Sequence, residues 1–137
     1  MRPKSESSKP AAAAAAAAEP VAVFSHTSLD AHRIALEALT REDAIARRLP
    51  RGYGPLRDQL SRALQSACLQ TGEGASKSGG ERRVRLSSAR AEAGEAAAAL
   101  EAVVALGLGS RSEAQAVTIL LSRLCAALTG PCKQAGG

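Results

Sequence analysis

Few side chains of this chain have the chemistry for catalysis or metal binding. The histidines are His26 and His32, and the cysteines are Cys68, Cys125 and Cys132. Neither histidine has the Glu-x-x-His spacing of di-iron helix bundles, and no cysteine lies in a Cys-x-x-Cys pair. The glycines form neither a P-loop nor a dinucleotide-binding motif. The sequence therefore predicts a protein that is not an enzyme and has no metal or cofactor.

Basic residues are the stronger signal, because they concentrate in the middle of the chain. Residues 41–90 contain eleven Arg and Lys against five Asp and Glu, in a chain of net charge +5. The planar donor fork of arginine suits phosphate, so this excess favours contact with RNA or DNA backbone. It is equally typical of a solvated arginine-rich surface. The predicted nucleic-acid contacts are Arg57, Arg62, Lys77, Arg82, Arg83 and Arg90.

Length and amino-acid composition limit the number of domains and indicate the cellular compartment. A chain of 137 residues allows one domain, and much of its 45% apolar content is alanine. Alanine removes little surface from water, so oligomerisation would add needed burial. The odd number of cysteines favours reduced thiols in a cytoplasmic protein. No apolar run approaches the ~20 residues of a membrane span, so no membrane partner is expected.

Composition also divides the chain into segments. Residues 1–26 are predicted to be a disordered low-complexity arm, since eight consecutive alanines lie between Pro10 and Pro20. The alanine run lacks the leucines of a signal peptide. Residues 27–130 are predicted to form the folded domain, and residues 131–137 a flexible tail.

The first two helices are predicted from apolar periodicity and end signals. Helix one should span about 29–49 behind a capping box at Thr27 and Asp30. Helix two should begin at Pro55 and stop at Gly72 and Gly74. The stripes expected to be buried are Leu29, Leu36, Leu39, Ala46 with Ile34, Ala38, Ile45, Leu49 in helix one, and Leu56, Leu60, Ala63, Leu64, Ala67, Thr71 in helix two.

The last two helices follow from the same signals. Helix three should start after Ser78-Gly79-Gly80 and run to about Leu106, and helix four should run from the Ser110-x-x-Glu113 cap to Gly130. The expected buried stripes are Leu86, Ala89, Ala93, Ala96, Leu100, Val103 in helix three and Ala114, Val117, Leu121, Leu124, Leu128 in helix four. With no strand-like alternation, the economical fold is an all-α, antiparallel up-down four-helix bundle.

Helix three carries a second stripe of small residues on another side. This stripe, which consists of Val84, Ser88, Ala91, Glu95, Ala98 and Ala102, also steps by three and four residues, roughly 150° around the helix from the first. Its surroundings are either solvent, which alanine tolerates, or a second subunit. Glu95 within it is either a surface glutamate or a buried carboxylate paired with an arginine across an interface. The predicted oligomer interface is Val84, Ala91, Glu95, Ala98 and Ala102.

Three stretches follow one another between residues 59 and 109: QLSRALQSACLQTGEG, ASKSGGERR and SARAEAGEAAAALEAVVALGLG. Their order and spacing resemble the four helix bundle protein family. That family includes the protein encoded in intervening sequences of bacterial 23S ribosomal RNA genes, and Avd, the accessory protein of diversity-generating retroelements. The matching positions are Leu60, Arg62, Ala63, Ser66, Glu73, Gly74, Arg82, Arg83, Ala89 and Glu95.

The resemblance implies a homopentameric ring of four-helix bundles. For Avd-like members it also implies a basic surface that binds nucleic acid and a reverse transcriptase. Together with the residues above, it predicts a cytoplasmic, non-enzymatic homo-oligomer that binds RNA or DNA backbone. The alternative is a structural or protein-interaction oligomer with no nucleic-acid role.

Overall fold

The computed structural model describes residues 26–136, which form four helices and no strand. Helix α1 spans His26–Arg47, α2 Gly54–Ala75, α3 Gly79–Ala105 and α4 Arg111–Gly136. Helices α1 and α3 each pack against both α2 and α4. Neighbours α1 and α2 are antiparallel, because early residues of α1 face late residues of α2. The all-α prediction is confirmed, and the helices are arranged as a four-helix bundle.

The core is built from the stripes predicted on α2, α3 and α4. Every predicted member is buried except Leu56, which is half-buried. Cys68 is also buried and serves as a small core residue. On α3 the buried line is mostly alanine, so its neighbours approach closely, while leucines from α2 and α4 fill the centre.

The buried line of α1 matches the prediction only in part, since Ala38, Ile45, Ala46 and Leu49 are buried as expected and the other four predicted residues are not. Leu36 is 43% exposed, and Leu29, Leu39 and Ile34 are only half-buried. The innermost positions step by three and four residues and are Ala31, Ala35, Ala38, Glu42, Ile45 and Leu49. The helix therefore turns alanines and one carboxylate inward, and its larger leucines flank the core. The apolar pattern alone could not distinguish the two orientations, because the stripes adjoin.

Two predicted helix ends are confirmed in atomic detail. After α3, Gly107 has φ +68°, and the N–H groups of Gly107 and Leu108 donate to the carbonyls of Val104 and Val103. This is a Schellman motif, which favours glycine at the left-handed position. At the start of α4, Ser110 Oγ accepts from the Glu113 N–H at 3.2 Å, as the predicted cap requires.

Three predicted boundaries are wrong. Gly72 and Gly74 lie inside α2, which ends only after Ala75. Gly130 does not end α4, which continues to Gly136 and makes residues 131–136 of the predicted tail helical. Thr27 lies inside α1 rather than before it. Each expectation relied on a local end signal, and packing against neighbouring helices overrides such signals.

The predicted disordered arm, residues 1–26, lies outside the described residues except for His26, which begins α1. Gly137 lies outside them as well.

Candidate nucleic-acid interface

The α2–α3 corner, residues 76–85, connects two helices at one end of the bundle. The N–H groups of Ser76 and Lys77 donate to carbonyls of the last turn of α2 and close it. Ser78 is extended and precedes α3, and its hydroxyl makes no capping hydrogen bond. The corner contains Lys77 and Arg83, both exposed, and Arg82, which is half-buried. It thus presents three of the six predicted basic residues together.

The position of these arginines opposes the electrostatics of the helix. Arg82, Arg83 and Arg85 occupy the first two turns of α3, near the positive end of its macrodipole. A cation in the first turn, such as Arg82, costs a few tenths of a kcal/mol rather than stabilising the helix, and the effect fades over the second turn, where Arg83 and Arg85 lie. Glu81 in the first turn offsets part of this cost. The dipole of α3 therefore does not account for these arginines, and Arg85 has a partner on α2, Glu73 at 3.4 Å.

Arg57, a predicted nucleic-acid contact, instead holds α1 and α2 together. Its guanidinium donates to the carbonyls of Ala46 at 3.2 Å, Leu49 at 2.8 Å and Pro50 at 3.3 Å. These carbonyls are at or just beyond the end of α1, where the regular helical hydrogen bonds stop, and those of Ala46 and Pro50 also accept from the N–H groups of Leu49 and Tyr53. A cation also interacts favourably with the negative end of the α1 dipole. Arg57 is thus a C-terminal cap supplied by the next helix.

Arg62 lies in an ion-pair network between α2 and α3. It contacts Glu95 at 3.5 Å and Glu92 at 4.0 Å, and Gln59 donates to Glu95 at 3.1 Å. The partner of Glu95 is therefore an arginine of the same chain, where the sequence left open an arginine across an interface. Both Arg62 and Glu95 are about half exposed. Arg62 is partly neutralised and is a weaker candidate for phosphate.

Arg90 is directed at α4 rather than at open solvent. Its Nη1 donates to Thr129 Oγ1 at 3.2 Å, and Thr129 in turn donates to the carbonyl of Cys125. Burial raises the pKa of the Cys125 thiol, and the nearby Arg90 charge offsets part of that rise. Arg90 and the corner lie on α3, but this side chain has a structural partner across the bundle.

The predicted interface stripe lies on the outside of α3. Val84 is 64% exposed, Ala91, Glu95 and Ala98 are exposed, and Ala102 is half-buried. The single chain therefore does not cover this stripe. Besides Val84 and Glu95 it consists of alanines, so its exposure costs little.

Another apolar surface, which the sequence did not indicate, lies between α3 and α4. The α3–α4 groove is about 570 Å³ in volume and is lined by side chains that include Leu100, Val104 and Ile119. Ile119 is 60% exposed. The predicted buried stripe of α4 already leaves Ile119 outside the core, but which residues of α3 lie beside it depends on how the two helices pack.

Glu42 is the second feature that sequence analysis missed. It is 1% exposed, on the innermost line of α1, and its oxygen accepts only a 3.4 Å hydrogen bond from Ser61. Burial, with a smaller contribution from the adjacent Asp43, raises the pKa of Glu42 to about 7, and the Ser61 hydrogen bond lowers it slightly. A glutamate among apolar positions at helical spacing was the available signal.

No three His, Cys, Asp or Glu side chains of residues 26–136 are grouped so that they could hold a metal ion. In the same part of the chain, no helix is both long and apolar enough to cross a membrane. No protein-family model matches the chain, and no curated protein gives a significant match. Inferences about its function therefore depend on its own residues and their geometry.

Proposed function

We propose that this chain is a non-enzymatic homo-oligomeric helix bundle that binds RNA or DNA backbone at the α2–α3 corner. The observation that carries the proposal is the cluster of Lys77, Arg82 and Arg83 around the start of α3, beside the first N–H groups of a helix whose N-cap side chain makes no hydrogen bond. The resemblance to the four helix bundle protein family supports it. We place the protein in the cytoplasm because its cysteines are odd in number.

The corner has the chemistry of a phosphate contact. The first N–H groups of a helix lack intrahelical acceptors, and their dipoles favour an anion. Here they belong to exposed glycines, Gly79 and Gly80, and the Ser78 hydroxyl does not cap them. Arginine and lysine nearby add charge and fork-shaped donors. Such contacts hold the backbone without distinguishing sequence.

Oligomerisation would multiply a weak contact. One corner offers few charges, so a single copy should bind weakly at physiological salt. In a cyclic homo-oligomer the corner recurs on each subunit, and contacts along one strand add through effective concentration. Affinity should therefore rise with the length of the nucleic acid until it spans neighbouring subunits.

The test is a salt titration of binding to labelled RNA and DNA, followed by fluorescence anisotropy. Reversing two charges, Arg82→Glu with Arg83→Glu, should lower affinity at least tenfold for all sequences and reduce the salt slope by about one per lost phosphate contact. The matched control is Arg51→Glu with Arg111→Glu, exposed arginines outside the corner with the same change in net charge. Arg90 is excluded, because its reversal would also remove the contact with Thr129.

Two results would contradict nucleic-acid binding at the corner. One is an absence of binding by the wild-type protein at low salt. The other is an equal loss of affinity in the corner and control variants, which would reflect net charge alone.

Self-association is the second part of the proposal, and the uncovered outer side of α3 favours it. The small side chains of the interface stripe permit close helix contact, and the α3–α4 groove, whose lining includes none of the stripe residues, is a further uncovered apolar surface. A family-like assembly would be a pentameric ring. We expect sedimentation and native mass spectrometry to give a pentamer at micromolar concentration.

Ala98→Arg should dissociate this assembly, since a buried guanidinium would lack a partner. The control is Ala44→Arg on the exposed side of α1, which should stay assembled. A folded wild-type monomer would contradict the assembly. An intact oligomer that binds no nucleic acid would favour the alternative, a protein-interaction oligomer whose partner, such as a reverse transcriptase, occupies the α3–α4 groove.

A further inference from the structure

A second apolar groove lies on the opposite side of the bundle, between α1 and α2. This α1–α2 groove is about 680 Å³ in volume and is lined by Leu36, Leu39, Leu69, Gly72 and neighbouring residues, with almost no polar surface. Leu69 is 67% exposed and Leu36 43%. Exposed leucines side by side in a groove differ from scattered surface leucines, because one apolar segment can cover both.

The groove opens toward the start of α1. Gly72 of α2 faces the ring of His32, where an added Cβ would lie 3.5 Å away. Antiparallel pairing then brings Ser76, which also lines the groove, level with the first turn of α1. From there to Leu36 the groove follows about eight residues of α1, or roughly 12 Å at 1.5 Å per residue. Its mouth is therefore where the preceding chain joins the helix.

The chain that precedes α1 contains a matching apolar segment. Apart from Met1, the only large apolar residues among the first 28 are Val21, Val23 and Phe24, and Phe24 is the only phenylalanine of the protein. Five extended residues span about 16 Å at 3.3 Å each, which is enough to follow the groove from its mouth to Leu36. The position of this apolar segment next to the mouth of the groove, and the distance it can span, both match the groove.

Local chemistry favours a reversal of the chain at this point. Ser25 immediately precedes the first residue of α1, and serine is a preferred N-cap residue. A hydrophobic residue just before an N-cap packs on the residue four positions into the helix, in the hydrophobic staple. Here these residues are Phe24 and Leu29, which is half-buried. A staple would turn the preceding chain back along α1.

We propose that residues 21–24 fold back and cover the α1–α2 groove of their own chain. The tether sets a high effective concentration, so the segment outcompetes a second copy at ordinary protein concentrations. The proposal is independent of nucleic-acid binding. It limits the predicted disorder of the arm to residues 1–20, because the groove gives the apolar residues at 21–24 a place to be buried.

Reactivity of an introduced cysteine tests this proposal, in a background with the native cysteines changed to alanine. Leu69→Cys places a thiol at an exposed position that lines the α1–α2 groove, and Val84→Cys, similarly exposed on α3, is the control. Replacing Val21, Val23 and Phe24 by serine should speed alkylation of Leu69→Cys at least fivefold and leave Val84→Cys unchanged, as followed by peptide mass spectrometry. Deleting Ala11–Ala18 should change neither rate. An unchanged Leu69→Cys rate in the triple serine variant would overturn the proposal.

A crosslink distinguishes the same chain from a second copy. In a background with the native cysteines changed to alanine and folding checked by circular dichroism, Phe24→Cys with Leu69→Cys should form an intrachain disulfide in a glutathione buffer. Phe24→Cys with Val84→Cys is the control, since Val84 is similarly exposed but lies on α3. Equal yields in the two pairs, or disulfides only between chains, would overturn docking within one chain.

Discussion

Helix α2 contacts its two neighbours by different means. Toward α1 its polar contacts are sheltered: Arg57 reaches carbonyls of the helix end, and Ser61 is the hydrogen-bond partner of a carboxylate that water does not reach. Toward α3 the contacts are exposed ion pairs, Arg62 with Glu95 and Arg85 with Glu73. The α1–α2 interface therefore has a few sheltered polar contacts, each of which affects stability. The α2–α3 interface has several exposed contacts that water and salt can replace.

The difference shows that the number of ion pairs is a poor guide to what holds this bundle together. Exposed pairs gain little because water competes for both charges. A sheltered carboxylate without a cation costs stability, since its charge is poorly solvated. We therefore expect the strongest mutational effects on the α1 side.

The largest expected effect is at Glu42 and depends on pH. Its pKa of about 7 in the folded chain lies above the ordinary value of 4.5. Below pH 4.5 the carboxyl is neutral in both states. Between pH 4.5 and 7 the unfolded chain releases a proton that the folded chain retains, so stability falls as pH rises, and above pH 7 the loss is complete. The total is on the order of 3 kcal/mol.

Glu42→Gln should remove this loss. In urea unfolding monitored by circular dichroism, the variant should be more stable than wild type by about 3 kcal/mol at pH 8 and equal to it near pH 4. Glu101→Gln, at an exposed position on α3, is the control and should follow the wild-type curve. A Glu42→Gln advantage that did not change with pH would show that Glu42 is not protonated in the folded chain.

Arg57→Ala should have the next largest effect. Loss of a charged donor to three carbonyls should lower the free energy of unfolding by about 2 kcal/mol, since water can replace only part of these bonds. Arg57→Lys should fall between, because an ammonium lacks the planar fork. Arg51→Ala, in the same connection but exposed, should stay within about 0.5 kcal/mol of wild type. Equal losses for Arg57→Ala and Arg51→Ala would contradict the capping role.

Gly74→Ala should be destabilising by about 1 kcal/mol, although alanine favours helix. A Cβ there would lie 2.6 Å from Leu86 Cδ2 and 3.0 Å from its Cγ, so the α2–α3 contact would have to shift. Gly94→Ala is the matched control, a helical glycine with open space around it, and should be stabilising by about 1 kcal/mol. If both substitutions stabilise, Leu86 moves aside without cost.

Much of the bundle could be predicted because one apolar side dominates the pattern of α2 and of α4. On α3 the larger side chains Leu86, Leu100 and Val103 distinguish the buried stripe from the alanine-rich outer one. In α1 two apolar stripes adjoin, and alanine at 31, 35 and 38 is as suitable for the core as the leucines beside it. The orientation then depends on how neighbouring helices fit, which is a tertiary property. The burial of Glu42 follows from that orientation and could not be foreseen without it.

The basic residues show the same limit. Charge and spacing predicted six of them as contacts to nucleic acid. Whether an arginine side chain instead bonds within the bundle depends on which residues the fold places opposite it. Arg57 faces the end of α1, with Leu49 8 residues away across the helix connection, and Arg90 faces Thr129, 39 residues away. Lys77, Arg82 and Arg83 follow within a few residues of the helix connection, so a local pattern could place them together. Local sequence thus predicts clusters better than it predicts partners.

The smallest expected effect is at the exposed pair of Arg62 and Glu95. A double-mutant cycle with Arg62→Ala and Glu95→Ala should give a coupling of about 0.5 kcal/mol at low salt, and the coupling should nearly vanish at 1 M salt. Gln59 also donates to Glu95 and can take over part of the interaction. A coupling above ~1.5 kcal/mol that salt did not reduce would reverse the comparison of the two sides. It would mean that the nearby Glu92, one oxygen of which is buried without a hydrogen bond, draws Arg62 into a desolvated network.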